Sequence, residues 1–196
     1  MPDSKPAPPT NPRGIPAAPF IDAVTDYVSS RAEVEPTLRS FQEMISKYQF
    51  MEVNTTKRAA GLRDKIPDIT KTLETVRFLS ARKSSDAPLQ TNFELNDTLY
   101  ARATVAPADA DEVYLWLGAN VMLAYPIAEA AAMLADKLAV AQTSLQNCEE
   151  DLEFLREQIT TLEVATARVY NWDVVQRRKE KVEGKGEEEE EEGEKQ

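Results

Sequence analysis

The sequence predicts a mainly α fold with a small β part: a long antiparallel coiled-coil hairpin whose two helices are joined by two β-hairpins that form an oligomeric β core. Three observations predict it. Apolar residues recur at steps of three and four over two long stretches, 38–76 and 131–169. Between them the period drops to two, in short runs separated by turn residues. The 196 residues, 42% hydrophobic and 29% charged, are enough for one ordinary folded domain.

The elements follow in order. Residues 1–19 hold seven of the 12 prolines and read as a disordered or extended head. Phe20, Ile21, Val24, Tyr27 and Val28 are spaced as a short amphipathic helix. Pro36 suits the first turn of a helix over about 33–82. Its seam is Leu38, Phe41, Ile45, Tyr48, Glu52, Thr55, Ala59, Leu62, Ile66, Ile69, Leu73 and Val76, with ten of 12 positions apolar. Random placement at 42% would give about five. Pro67 interrupts the run and predicts a kink without a break, because the register continues beyond it. Ser84, Ser85, Asp86 and Pro88 end the helix.

Two hairpins are predicted over about 90–125. In the first, Phe93 and Leu95 alternate, Asn96-Asp97 turns, and Leu99, Ala101, Ala103 and Val105 alternate again. Residues 107–111 form a loop. In the second, 113–117 and 121–125 flank the turn Gly118-Ala119-Asn120, and 113–117 is apolar on both faces, as in a strand buried on both sides. A second helix over about 126–178 opens with Pro126 and Glu129. Its seam is Ala131, Leu134, Leu138, Ala141, Leu145, Cys148, Leu152, Leu155, Ile159, Leu162, Thr166 and Val169, with eleven of 12 positions apolar. Residues 181–196, with eight Glu and three Lys, read as a disordered, solubilising acidic tail, with contact to basic patches on a partner as the weaker reading.

Composition excludes several functions. The net charge is −11, of which −5 lies in the tail and −6 in the body. An acidic body does not suit nucleic acid or an anionic membrane surface, and no apolar run approaches the ~20 residues of a membrane span. There is no histidine and one cysteine, so the commonest general base, the usual zinc ligand sets and an internal disulfide are all missing. The six glycines are scattered and make no phosphate loop. Neither an enzyme nor a cofactor is expected: the acids fall mostly on solvated helix faces. Cys148 on a seam reads as a core thiol, and Glu52 and Thr55 read as weak points of the seam or as register markers.

Two helices of about 40–50 residues can fold back on one another, with Leu38 beside Trp172 and both chain ends at one tip. Two hairpins cannot bury two apolar faces alone, and their free edges invite pairing with another chain. The β segment is therefore expected to be a subunit interface, through Phe93, Leu95, Leu99, Val105, Val113, Leu115, Trp116, Leu117, Val121 and Leu123. At the tip, Val34, Leu38, Phe41, Val169, Tyr170, Trp172 and Val174 are candidates for contact with a client or partner, although Leu38 and Val169 also suit plain seam packing.

This order of elements, with FMEVN at 50–54, KIPDITKTLE at 65–74, LWLGANVML at 115–123 and YNWDV at 170–174, resembles the α-class subunits of the prefoldin family, and among them one eukaryotic class. The resemblance covers about 21–179. It implies an ATP-independent co-chaperone subunit of the cytoplasm, with nuclear presence open. The complex would be a hetero-hexamer of two α-type and four β-type subunits. It would take up unfolded clients such as actin and tubulin through its coiled-coil tips and deliver them to the group II chaperonin. The competing reading is a coiled-coil scaffold or tether with a β oligomerisation core.

Overall fold

The computed structural model describes residues 9–84, 87–106 and 110–193; the expectations for 1–8, 85–86, 107–109 and 194–196 lie outside them. Two short 3-10 turns, Val24–Asp26 and Arg31–Glu33, precede α1 (Val34–Arg82). Then come β1 (Leu89–Asn96), β2 (Leu99–Val105), β3 (Glu112–Gly118), β4 (Val121–Pro126) and α2 (Ile127–Gly193). Helix, two hairpins and helix occur in the predicted order. The chain divides into two units, Met1–Arg58 with Cys148–Gln196, and Ala59–Asn147.

In the first unit the seam does what its spacing predicts. Phe41, Ile45 and Tyr48 of α1 share one core with Leu155, Leu162, Ala165 and Val169 of α2, and no seam position of the unit is exposed. Each fully buried Leu or Val contributes about 1.5–3 kcal/mol relative to an exposed one. The polar position Glu52 is half-buried and accepts from Arg156 Nε across the seam at 3.0 Å. That pairing places residues 52 and 156 opposite each other, within one turn of the register that sets Leu38 beside Trp172.

Two expectations for the N-terminal part need correction. Residues 9–19 are ordered along the coiled coil (their detail follows below), and residues 20–28 are not a helix. Only Val24–Asp26 turns, although Ile21 and Val28 are buried as their spacing implies. The reason is local. Pro16 and Pro19 hold the approach extended. The Ile21 carbonyl, which a helix would bond to the N–H four residues on, is taken by Arg168 Nη1. A further difference is at the other end, where α2 runs to Gly193 and not to about 178. The Glu and Lys of the added stretch are good helix formers, against the cost of its glycines.

In the second unit α1 passes through Pro67 unbroken. The ring removes the hydrogen bond to the residue 63 carbonyl, a cost of about 3 kcal/mol, and burial of Leu73 and Val76 beyond it offsets that loss. The hairpins are two separate two-stranded antiparallel sheets. In the second, Gly118 pairs with Val121 around a two-residue loop, and Ala119 and Asn120 both have positive φ (49° and 61°). This is the primed turn that matches strand twist. A small core joins Val76 of α1, Leu115 of β3 and Ile127 and Ala130 of α2. Lys83 pairs with Asp111, whose main-chain carbonyl accepts the Ile127 N–H.

Candidate interaction surfaces

Register and alternation sort the hairpin side chains into faces. In β3–β4, Leu115 lies opposite Leu123 and Val113 opposite Tyr125, on the side that packs against the helices. Tyr114 and Trp116, with Met122 opposite Trp116, point the other way. Both are largely open: Tyr114 is 69% and Trp116 60% exposed. In β1–β2, Leu89, Phe93, Ala101 and Val105 share one face, while Glu94 and Tyr100 share the other. Phe93 is 60% exposed, and Leu95 and Leu99 are equally open.

Of the residues read as an interface, Phe93, Leu95, Leu99, Trp116, Leu117, Val121 and Leu123 are exposed, Val105 and Val113 are half-buried, and Leu115 is buried. Leu115 is therefore a core residue of its own chain, because its face is the one the helices cover. Sequence reasoning missed Tyr114, Met122 and Tyr100, although strict alternation from Leu115 assigns Tyr114 and Trp116 to the open face. With two strands per sheet, every strand has an unpaired edge among the described residues.

The residues read as a tip cluster are not one exposed patch. Val34, Phe41 and Val169 are buried in the first unit's core, and Leu38 and Trp172 pack against it. Val174 is half-buried, and only Tyr170, at 58%, is exposed. Seam packing buries Phe41 and Val169, and the N-terminal segment adds Ile15, Ala18, Ile21, Val24 and Val28 to the same core.

That segment is held at several points. Asn11-Pro12-Arg13-Gly14 is a β-turn, with the Gly14 N–H on the Asn11 carbonyl at 3.0 Å and Gly14 at φ 82°. Asn11 Oδ1 accepts the Arg13 and Ile15 N–H groups, and its Nδ2 donates to Asp151 at 2.7 Å. Arg13 spans Glu150 and Asp151 at 3.0 and 2.6 Å, and the Asp151 hydrogen bond first among its causes holds the guanidinium above its ordinary pKa. Tyr48 donates to the Pro16 carbonyl at 2.9 Å, and burial pushes that phenol up. Gln158, buried, accepts the Ala18 N–H at 2.8 Å. Further on, Arg31 meets Asp173 and Glu180, and Arg177 also reaches the buried Asp173. Between segment and α1, Pro16, Phe20, Tyr27, Met44 and Met51 line an open groove of about 720 Å³.

Among the described residues no helix is long and apolar enough to cross a membrane.

Comparison with known proteins identifies a family. A family model described as "Prefoldin: Prefoldin subunit" matches residues 48–172. Over 177 residues the chain is 71% identical to "Prefoldin subunit 3" of Elsinoe fawcettii, spanning 90% of this chain and 88% of that one. Identity is 51% over 173 residues with "Probable prefoldin subunit 3" of Schizosaccharomyces pombe, spanning 88% and 98%. It is 44% over 168 residues with "Prefoldin subunit 3" of Homo sapiens, spanning 85% and 84%.

Proposed function

Since this chain belongs to the prefoldin family, we propose that it works as an α-type subunit of an ATP-independent holding chaperone, in a hetero-hexamer with one further α-type and four β-type subunits. The observation that carries this is the open apolar area of the hairpins: Tyr114, Trp116 and Met122 on one, Phe93, Leu95 and Leu99 on the other, beside unpaired strand edges. Isolated hairpins are marginal in water. Strands from neighbouring subunits would supply the missing hydrogen bonds and cover these side chains together, so folding of the β part and assembly become one event. Each aromatic covered in this way contributes about 1.5–3 kcal/mol before the cost of association.

The clients in this reading are unfolded proteins such as actin and tubulin, held in the cytoplasm or nucleus and passed to the group II chaperonin. Exposed apolar side chains of the first unit, Phe20, Phe50, Tyr170 and Val175 among them, would make weak contacts. Repeated on several arms, such contacts hold a client that one arm would release. No nucleotide takes part.

Trp116→Asp with Met122→Asp tests the reading. Both side chains are exposed within this chain, so the single chain should keep its helicity, while reconstitution with partner subunits and suppression of aggregation of denatured actin should both be lost. Normal assembly of the double variant would refute the β-interface reading. Normal assembly of the unmodified chain with no effect on actin would leave a scaffold in its place.

A further inference from the structure

What the N-terminal segment sits on has the character of a binding site. Three side chains of the coiled coil address the main chain of the segment and not its side chains: Tyr48 O–H to the Pro16 carbonyl, Gln158 Oε1 from the Ala18 N–H, and Arg168 Nη1 to the Ile21 carbonyl. Contacts of that kind accept any extended chain, because every residue offers the same carbonyl and all but proline the same N–H. Between and beyond them lie apolar sockets, filled at present by Ile21 and Val28, both fully buried. At one end Glu150 and Asp151 receive a cation. The occupant matches this seat: between the 11–14 turn and the 3-10 turn at Val24–Asp26 it runs without helix, it is apolar, has prolines at intervals, and carries Arg13 in the turn at the acidic end.

We propose that this face of the coiled coil is a seat for extended polypeptide, and that residues 9–28 are its resident occupant, a built-in competitor displaced by an apolar, extended segment of another protein with a basic residue at the matching end. The segment is joined to α1 through residues 29–33 alone, so its effective concentration is on the order of 1 mM. If the same segment binds in trans at about 10 μM, the tethered copy weakens uptake about 100-fold. The latch at Arg13 is an exposed ion pair and loosens with salt. Regulation of access then lies in the chain itself. This goes beyond client holding at the exposed side chains, and the peptide titration below does not depend on that holding.

The test is fluorescence anisotropy with a labelled synthetic peptide of residues 9–28 as probe. It is titrated with the full chain, with the chain lacking residues 1–28, and with R13E and R13E/D151R in the full chain. Uptake by the truncated chain should be about 100-fold tighter than by the full chain, R13E should fall between them, and R13E/D151R should return toward the full chain. Equal uptake by truncated and full chains overturns the proposal, as does no uptake by a truncated chain that keeps its helicity. If truncation unfolds the chain, R13E decides: no gain over the full chain overturns it, and a gain that D151R reverses supports it.

Discussion

Leu162 and Tyr170 lie two turns apart on α2 and should behave in opposite ways. Leu162 is wholly buried in the first unit's core and Tyr170 is largely exposed. Leu162→Ala removes three carbons, about 0.8 kcal/mol each, and leaves a cavity that a rigid seam between Phe41, Tyr48 and Leu155 closes only in part. A loss of about 3 kcal/mol is expected, within the general range of about 2–5. Tyr170→Ala opens no cavity and should stay within about 0.5 kcal/mol. Urea unfolding followed by helical circular dichroism, at fixed protein concentration because assembly shifts apparent stability, measures both. With a slope of about 2 kcal/mol/M, the Leu162→Ala midpoint falls by about 1.5 M and the Tyr170→Ala midpoint hardly moves. Capture of denatured client should show the reverse order at low urea, with Tyr170→Ala the weaker holder. Equal midpoint shifts for the two variants would refute the division of this helix into a seam and an open face.

Other outcomes follow from the charged groups and the strap. The hydrogen bond from Lys83 holds the Asp111 carboxyl below its ordinary value. Its contribution to stability is therefore present above the unfolded-state pKa and is lost as pH falls through the lower folded-state one. A carboxyl titration by NMR should show Asp111 rising to the ordinary range in Lys83→Met, and an unchanged value would dismiss the pair. Asp173 is buried between Arg31 and Arg177, so either arginine alone still shields it. Arg31→Ala and Arg177→Ala together should destabilise by more than the sum of the single changes, and simple additivity in a thermal melt would refute shared shielding. Asn11→Ala removes the side-chain oxygen that accepts the Arg13 and Ile15 N–H groups and the amide that donates to Asp151; amide exchange at Ala18 should quicken, while exchange within α2 stays as it was.

Much of the fold was legible because two periods carry most of the information. All 24 seam positions chosen at steps of three and four are buried or half-buried among the described residues. The hairpin bounds came from turn residues that geometry requires, such as Asn120 with its positive φ. The open hairpin faces were legible in outline, since nothing else in the sequence could cover them. The face of each residue was not, because a strand apolar on both sides hides its own alternation: Leu115 packs inward while Tyr114 and Trp116 do not. The N-terminal segment was misread for a different reason. Proline content argues for an unfolded head by composition. The order Asn-Pro-Arg-Gly argues for a type I turn, with Asn, Pro and Gly each at a favoured place. The seat for that turn lies about 140 residues away at Asp151, and no local pattern reports a contact so distant.

The most direct test of the central reading is native mass spectrometry of the complex recovered with this chain from its own cells. A discrete assembly of six small chains, two copies of α-type and four of β-type, is expected for the unmodified chain, and the free chain for Trp116→Asp with Met122→Asp. A homo-oligomer, or recovery of the double variant in the same complex, would contradict it.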